Sequence, residues 1–425
     1  MIAIQQRFSK SFFALLSLPA TGMGFALCVQ ISALSWILST RYNLDIHEVG
    51  IVWAAGPIAG IVGQVIIGLI SDQTWFWGGR RRPFIWIGGT LAALSLLALP
   101  NLGIISAATG IPILAVAISA ALTLDLSINI SFNPTRSVIA DVTPEGEKRT
   151  LGYTWMQTIS GMFGVMAYAI GAISGNYSLI YFGAVLVVVF SLIPPLFITE
   201  PKSLVATAEE KQASSSKANY NQLYRIYLAH GFCWIGIQTM FVYMIFYVND
   251  TMGITSNESA GQVVSISFLV LNTIGFILPA VVLEPISKKL GRVKVHTLSM
   301  AFMTAGYLLL IFVGKEPVIV YACMAVAGIG WAATVSLPFA IMTEKVDKSK
   351  MGFFMGIFNL SVVVPQLLVS LVLGGIIQAA PNKSIIFIIS AIALAISTIL
   401  WTFVKEETVR KKNQQDEYPT FSSSH

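Results

Sequence analysis

The sequence predicts an all-α membrane protein of twelve spanning helices, and three observations carry that expectation. Apolar residues make up 55% of the chain and charged residues only 11%, whereas a soluble domain carries about 25% charged residues. The apolar residues gather into runs of roughly 20 or more, long enough to cross a ~30 Å hydrocarbon core. Lysine and arginine sort to one side of those runs, as cytoplasmic loops require. A closed β-barrel is the other fold that satisfies its backbone in lipid. Its strands would be ~10 residues long with alternating polarity, and these runs are far longer and apolar on most sides.

In order, the runs fall at 12–38, 46–70, 83–100, 111–139, 150–174, 177–198, 222–248, 260–284, 295–313, 317–342, 352–378 and 382–404. Arg7 and Lys10 precede the first, but it is too long for a signal peptide's apolar region and no small-residue cleavage site closes it. It reads as helix 1. With both chain ends placed in the cytoplasm, only Arg41, Lys315 and Lys383 of the 26 lysines and arginines fall outside, and Arg136 falls within a span. One helix more or fewer would scramble this sorting. The net charge of +6 therefore reflects topology, and no basic stripe suggests nucleic acid.

The longest polar stretch, 199–221, reads as a cytoplasmic linker between residues 1–198 and 222–404. The charged, Ser-rich tail 405–425 reads as disordered and cytoplasmic. Two bundles of six helices result, with a weak internal echo. Helix 2 leads into GLISDQTWFWGGRRRP and helix 8 into LEPISKKLGRVKV, each an apolar helix followed by a basic loop with Gly-Arg. Related halves of this kind hold a site between them near mid-bilayer.

An ionisable group inside a span costs roughly 2.5–3.5 kcal/mol on insertion scales, so the few present are informative. Asp125 lies near the middle of helix 4, and Asn129, Asn133 and Arg136 follow on the same helical face. Arg136 stands ~16 Å from Asp125 along the axis, too far for direct pairing in an unbroken helix. Pro134 lies between them as a point of bending. Asp125 is a candidate proton carrier, because a carboxyl's proton affinity follows its surroundings; the alternative is a structural Asp bonded to hydroxyls. Arg136 is a candidate for substrate or gating work, or a cation snorkelling to headgroups.

Helix 7 presents His230, Trp234 and Gln238 four apart. An aromatic ring beside amide and imidazole groups suits a sugar, although a lone His is more often a packing residue. Gln64 on helix 2, Asn272 on helix 8, and Asn359 and Gln366 on helix 11 are further candidates, each ambiguous between ligand contact and interhelical hydrogen bonding. The three cysteines, Cys28, Cys233 and Cys323, lie inside helices with neither metal-ligand spacing nor a disulfide framework. No GxxxxGK[ST] appears, so nucleotide-driven work by this chain alone is not expected. No catalytic motif suggests an enzyme.

Residues 53–89, WAAGPIAGIVGQVIIGLISDQTWFWGGRRRPFIWIGG, resemble the sucrose–proton symporters of plants and their animal and bacterial relatives, within the major facilitator superfamily. That family has Gly-Pro in helix 2, then Ser-Asp and Gly-Arg-Arg-Arg-Pro-Phe-Ile. The equivalents are Gly56-Pro57, Ser71-Asp72 and Gly79 to Ile85. Asp125, Asn129, Pro134, Arg136 and Ala140-Asp141 match its helix 4, and GIGWAATVSLPFA and GIFNLSVVVPQLLVS resemble its helices 10 and 11.

The resemblance implies the major facilitator fold, two pseudo-symmetric six-helix bundles, alternating access, and a sucrose- or maltose-like glycoside carried with a proton. It implies that Asp125 couples the proton and that Arg136 is also needed. It implies that Asp72 latches the cytoplasmic side with Arg80, Arg81, Arg82 and Asp141 around it. No cofactor beyond a proton gradient is expected, and no metal. One departure stands out: the plant segment Asp-Trp-Met-Gly-Arg-Glu after helix 7 is here Asp250 to Thr255, DTMGIT. This departure tells against sucrose specificity and against plant-like charge pairing on the outer side; the short termini and loops suggest a bacterial inner-membrane relative that prefers maltose or another glycoside, and a monomer is expected. An exporter or facilitator of a non-sugar solute, and a sodium-coupled glycoside symporter, are the competing expectations.

Overall fold

The computed structural model describes residues 5, 7–61, 70, 74–144, 147–201, 219–346 and 351–405. Among them every extended element is helical, apart from an isolated bridge between Phe76 and Gly79. Helix α1 is Lys10–Thr40, started by Ser9, whose hydroxyl accepts from the Phe12 amide. Helix α2 begins at Ile46 behind a capping box formed by Asp45 and Glu48, and is described to Ile61. Helix α3 (Arg82–Ala98) continues through a 3₁₀ turn at Leu99–Asn101 to Thr109, where Gly110 ends it in the left-handed region. It is thus longer than the apolar run alone suggests. Helix α4 is Ile113–Val142 and runs unbroken through Pro134.

Helices α5 (147–174) and α6 (176–192) form one continuous assignment with a break at Gly175. Its φ of +82° lies where a side chain is disfavoured. This is where the two runs part in the sequence. The second half holds α7 (Tyr220–Phe246), α8 (Asn257–Leu278, extended to Leu290), α9 (Arg292–Val313), α10 (Pro317–Thr343), α11 (Met351–Leu368, extended to Ala379) and α12 (Ile385–Thr402). Among the described residues, ten stretches are by themselves long and apolar enough to span a membrane. Counting α5 and α6 separately makes eleven, and α2, a shorter apolar helix over its described residues, stands where the sequence places the remaining one. The chain is a multi-pass membrane protein.

The packing repeats between halves. Helix α3 packs on α4 and on the α5–α6 hairpin, as α9 packs on α10 and α12; α1 packs on the α5–α6 hairpin as α7 does on α12. We call the face bearing residues 201 and 219 the linker face, and the opposite one the far face. Among the described residues, the hydrogen bonds that join the halves gather towards the far face. Trp36 donates to the Asn257 carbonyl at 2.7 Å, and Gln262 donates to the Ala172 carbonyl. Ser32 and Ser265 meet each other, and both reach Asn176. Gln378 at the end of α11 bridges Asp45 and the His47 amide at the start of α2. A π-turn at Val369–Leu373 lets α11 swing against α2 there. The Tyr243 hydroxyl satisfies the Val369 carbonyl.

On the linker face, α3 starts on an anion site. The carboxylate of Glu200 accepts from the backbone amides of Arg80, Arg81 and Arg82 at 2.7, 2.7 and 2.9 Å. Pro83, with no amide proton to satisfy, follows in the first turn. A negative charge at a helix N-terminus is favourable, and charge-assisted hydrogen bonds are strong. The sequence reads 199–221 as a solvated linker; its beginning is instead folded onto the first bundle, with Glu200 buried. Thr199 also pairs with Gln5. Residues 202–218 and 406–425 lie outside the described residues. Glu200→Ala removes three charge-assisted bonds to backbone amides, one buried and two part-buried, and is expected to cost about 2–4 kcal/mol, read as a lower thermal unfolding temperature in detergent. Glu200→Gln is expected to recover part of that loss.

Candidate functional site

The first half places one carboxyl at mid-span. Asp125 on α4 is 8% exposed, and Gln30 of α1, 1% exposed, donates from Nε2 to its Oδ2 at 2.9 Å. Gly56 of α2, the first residue of the Gly-Pro pair, brings backbone against the other side. A β-carbon there would stand 3.3 Å from both carboxylate oxygens. Among the described residues Asp125 has no cationic partner, and Gln30 Oε1 is buried without a hydrogen bond. Three helices therefore converge on one carboxyl held by a neutral amide. The glutamine escapes sequence reasoning because it stands alone in an apolar run.

The rest of the α4 stripe fans out towards the linker face. Asn129 turns its amide back onto the Asp125 carbonyl, and Asn129 and Asn133 are half-buried. Arg136 is exposed, with its guanidinium 4.1 Å from the centre of the Phe132 ring. The helix stays continuous through Pro134, so Arg136 and Asp125 remain about three turns apart, as their spacing predicts. Gln64 lies outside the described residues.

The second half supplies an aromatic and amide cluster. Trp234 of α7 donates its indole N–H to His230 Nε2 at 3.1 Å. His230 Nδ1 meets the Ser361 hydroxyl at 3.0 Å, and that hydroxyl donates to the Phe358 carbonyl. The imidazole also stacks on Phe358. An indole can only donate, so Nε2 is the acceptor and Nδ1 carries the proton. Both ring nitrogens of His230 are thus used inside the protein, one of them by the Trp234 indole. The Trp234 ring meets Trp331 of α10 edge to face at 6.3 Å, and Trp331 donates to Asn272 of α8 at 3.1 Å. Gln366 of α11 donates to the buried Gln238 at 3.2 Å. Asn359 is half-buried on α11. Trp234 and Asn272 therefore share a neighbourhood with Trp331, which the sequence hides among apolar neighbours, and Gln366 pairs with Gln238 one turn along α7 from Trp234. A half-buried pair of indoles beside amides can stack on an apolar ring face and bond its polar fringe.

At the linker face Arg81 forms a buried ion pair with Asp141 at 2.9 Å, tying the start of α3 to the end of α4. Arg82 donates to the Ile198 carbonyl at 2.6 Å and lies over the Trp86 ring. The backbone of Arg80 serves Glu200, as above. Asp72, the expected latch, lies outside the described residues. The Gly-Arg-Arg-Arg-Pro segment is therefore anchored within the first bundle by two carboxylates, Asp141 and Glu200.

The Gln30–Asp125 contact is expected to be energetically coupled. A double-mutant cycle with Gln30→Leu and Asp125→Ala should give a coupling of about 0.5–3 kcal/mol in thermal or denaturant unfolding; additive losses would show the two act independently.

Comparison with known proteins agrees with this architecture. The chain is 26% identical over 431 residues to "Sucrose transport protein SUT2" of Oryza sativa subsp. indica, covering 83% of this chain and 84% of that protein. Its fold matches the inward-open xylose transporter XylE from E. coli, at a TM-score of 0.70 and 15% identity, covering 94% of this chain and 97% of that one. It matches the nucleoside transporter NupG at a TM-score of 0.66 and 14% identity, covering 92% and 97%. The pattern of the Major Facilitator Superfamily is matched over residues 16–370 and again over 271–424. With two six-helix halves and a matching pattern over most of its length, the chain belongs to the Major Facilitator Superfamily.

Proposed function

We propose that this protein is a secondary active transporter that carries a sugar or glycoside across the cell membrane together with a proton, by alternating access between its halves. The observation that carries the coupling is Asp125. A carboxylate at mid-span without a cation is a buried, uncompensated charge, and one proton removes it. When the surroundings of the carboxyl change from closed helix packing to open water, so does its hold on that proton. Gln30 suits both forms, because its amide can donate to the carboxylate and its carbonyl oxygen can accept from the acid. Arg136, nearer the linker face, supplies guanidinium N–H donors to a polar solute passing on that side.

The aromatic and amide cluster of Trp234, Trp331, Asn272, Gln238 and Gln366 is the proposed sugar-binding wall, supported by its chemistry and by the name of the rice relative. Among the described residues Asp125 stands without an acidic cluster around it, which supports proton over sodium, since a sodium ion needs several oxygen ligands together. The positive residues on the linker face support a cytoplasmic linker face with both chain ends inside, and Arg81, Asp141 and Glu200 brace that side. The chain holds both halves of the pathway, which supports action as a monomer.

In proteoliposomes, an inward proton gradient is expected to drive accumulation of a disaccharide such as sucrose or maltose. Asp125→Asn is expected to abolish accumulation while leaving sugar counterflow, because the neutral amide mimics the protonated acid but cannot release a proton. Gradient-driven accumulation by the variant at the wild-type level, or background uptake of every mono- and disaccharide tested by the wild type, would sink the proposal.

A further inference from the structure

The far face holds a polar cavity away from Asp125 and from the Trp234 cluster in its lining residues. Its volume is about 480 Å³, within the ~300–1,000 Å³ of small-molecule sites. It lies where three elements meet: the end of α1, the turn between α5 and α6, and the start of α8. Its walls come from both halves of the protein. Trp36 and Tyr177 stand edge to face at 5.2 Å. Trp36 is pinned by its bond to the Asn257 carbonyl, and the Asn257 side chain donates back to the Thr40 carbonyl. Gly261 on α8 makes this seat: a β-carbon there would come within 2.6 Å of the Trp36 indole nitrogen and 2.8 Å of Asn176 Nδ2. Gly175 at the hairpin break has nothing within 4 Å of where a β-carbon would project, so the turn stays open.

The cavity offers a matched set of unused groups. Arg41, from the first half, bonds the Tyr177 hydroxyl at 2.8 Å and lies over that ring, which leaves most of its N–H donors unused. Glu258, from the second half, contributes an exposed carboxylate with no hydrogen bond or ion pair among the described residues. The pair flanks the cavity without forming a salt bridge. An anion gains from Arg41 but is opposed by Glu258, and for an amine the signs are reversed, so neither single charge profits from both groups. A hydroxyl both donates and accepts, so a neutral polyol satisfies the two at once. The half-exposed Tyr177 ring offers a surface for the apolar face of a pyranose.

We propose that this cavity is a second, far-side binding site for a neutral glycoside, separate from the mid-span cluster. It deepens the sugar reading above but rests on its own residues. Because its walls belong to both halves, the site is complete only while the far face is closed. A ligand that binds one state alone shifts the equilibrium towards it. Glycoside in this cavity therefore holds the far face shut and delays its reopening.

The test is labelling of a Ser174→Cys variant of the full chain, with a membrane-impermeant thiol reagent applied from the far face. Ser174 lines the cavity and is exposed, whereas Cys233 and Cys323 are buried and Cys28 is half-buried; the unsubstituted chain is the blank. Sucrose or maltose at roughly ten times its dissociation constant is expected to slow labelling about tenfold, by simple occupancy. Glucuronate is expected to protect less. Arg41→Ala or Glu258→Gln, added to Ser174→Cys, is expected to remove the protection while leaving uptake at low sugar concentration intact. No protection, equal protection by glucuronate, or protection that survives both substitutions overturns the proposal; in the last case it arises from the mid-span cluster. Labelling does not depend on transport. Arg41-dependent protection in a chain that accumulates no sugar would keep this site and remove the transport reading. Accumulation without protection would do the reverse.

Discussion

The first bundle is organised around a carboxyl held by an amide. Burying a carboxylate with no cation beside it is unfavourable, and α1, α2 and α4 must converge to do so. Gln30 reaches it from α1, and the absence of a side chain at Gly56 lets α2 close the third side. A lysine or arginine in place of Gln30 would fix the carboxyl in its charged form. An apolar residue would leave it without a partner. The amide permits both protonation states, which a device that loads and releases a proton requires.

The second bundle repeats the packing of the first without repeating its charge. Its mid-span is lined by indoles and amides, each tied to another protein group: Trp234 to His230, Trp331 to Asn272, Gln366 to Gln238. These ties fix ring orientation before any solute arrives, which reduces the ordering cost of binding. One half thus carries the titratable group and the other the shaped surface. The halves meet most tightly towards the far face through hydroxyl, amide and indole contacts. Such contacts are individually modest, so they can be exchanged during a cycle.

Much of this is legible in the sequence, for physical reasons. Span lengths follow from bilayer thickness, and the Lys/Arg sorting constrains the helix count without any knowledge of contacts. The break at Gly175 and the α4 stripe follow from local spacing. The missing parts are long-range. Gln30 meets Asp125 across 95 residues and Trp331 meets Asn272 across 59; neither has a periodic signal, because each is a single polar atom in an apolar helix. Glu200 reads as linker because it borders a polar stretch, yet it reaches across 118 to 120 residues to three amides. His230 is a candidate ligand by composition, and its hydrogen bonds to Trp234 and Ser361 have no signal in the sequence, the latter spanning 131 residues. Gln64 and Asp72 fall outside the described residues, so the inner part of α2 rests on sequence alone.

The central claim is that Asp125 itself changes protonation as the solute is carried. Infrared difference spectroscopy on the reconstituted protein reads this directly through the carbonyl stretch of a protonated carboxyl. Adding glycoside at neutral pH is expected to change a band in that region, and the change is expected to vanish in Asp125→Asn and to shift in Gln30→Leu, which alters its hydrogen bond. A glycoside-induced carboxyl band that persists unchanged in Asp125→Asn, or no such band in a wild type that accumulates sugar on a proton gradient, would contradict the account.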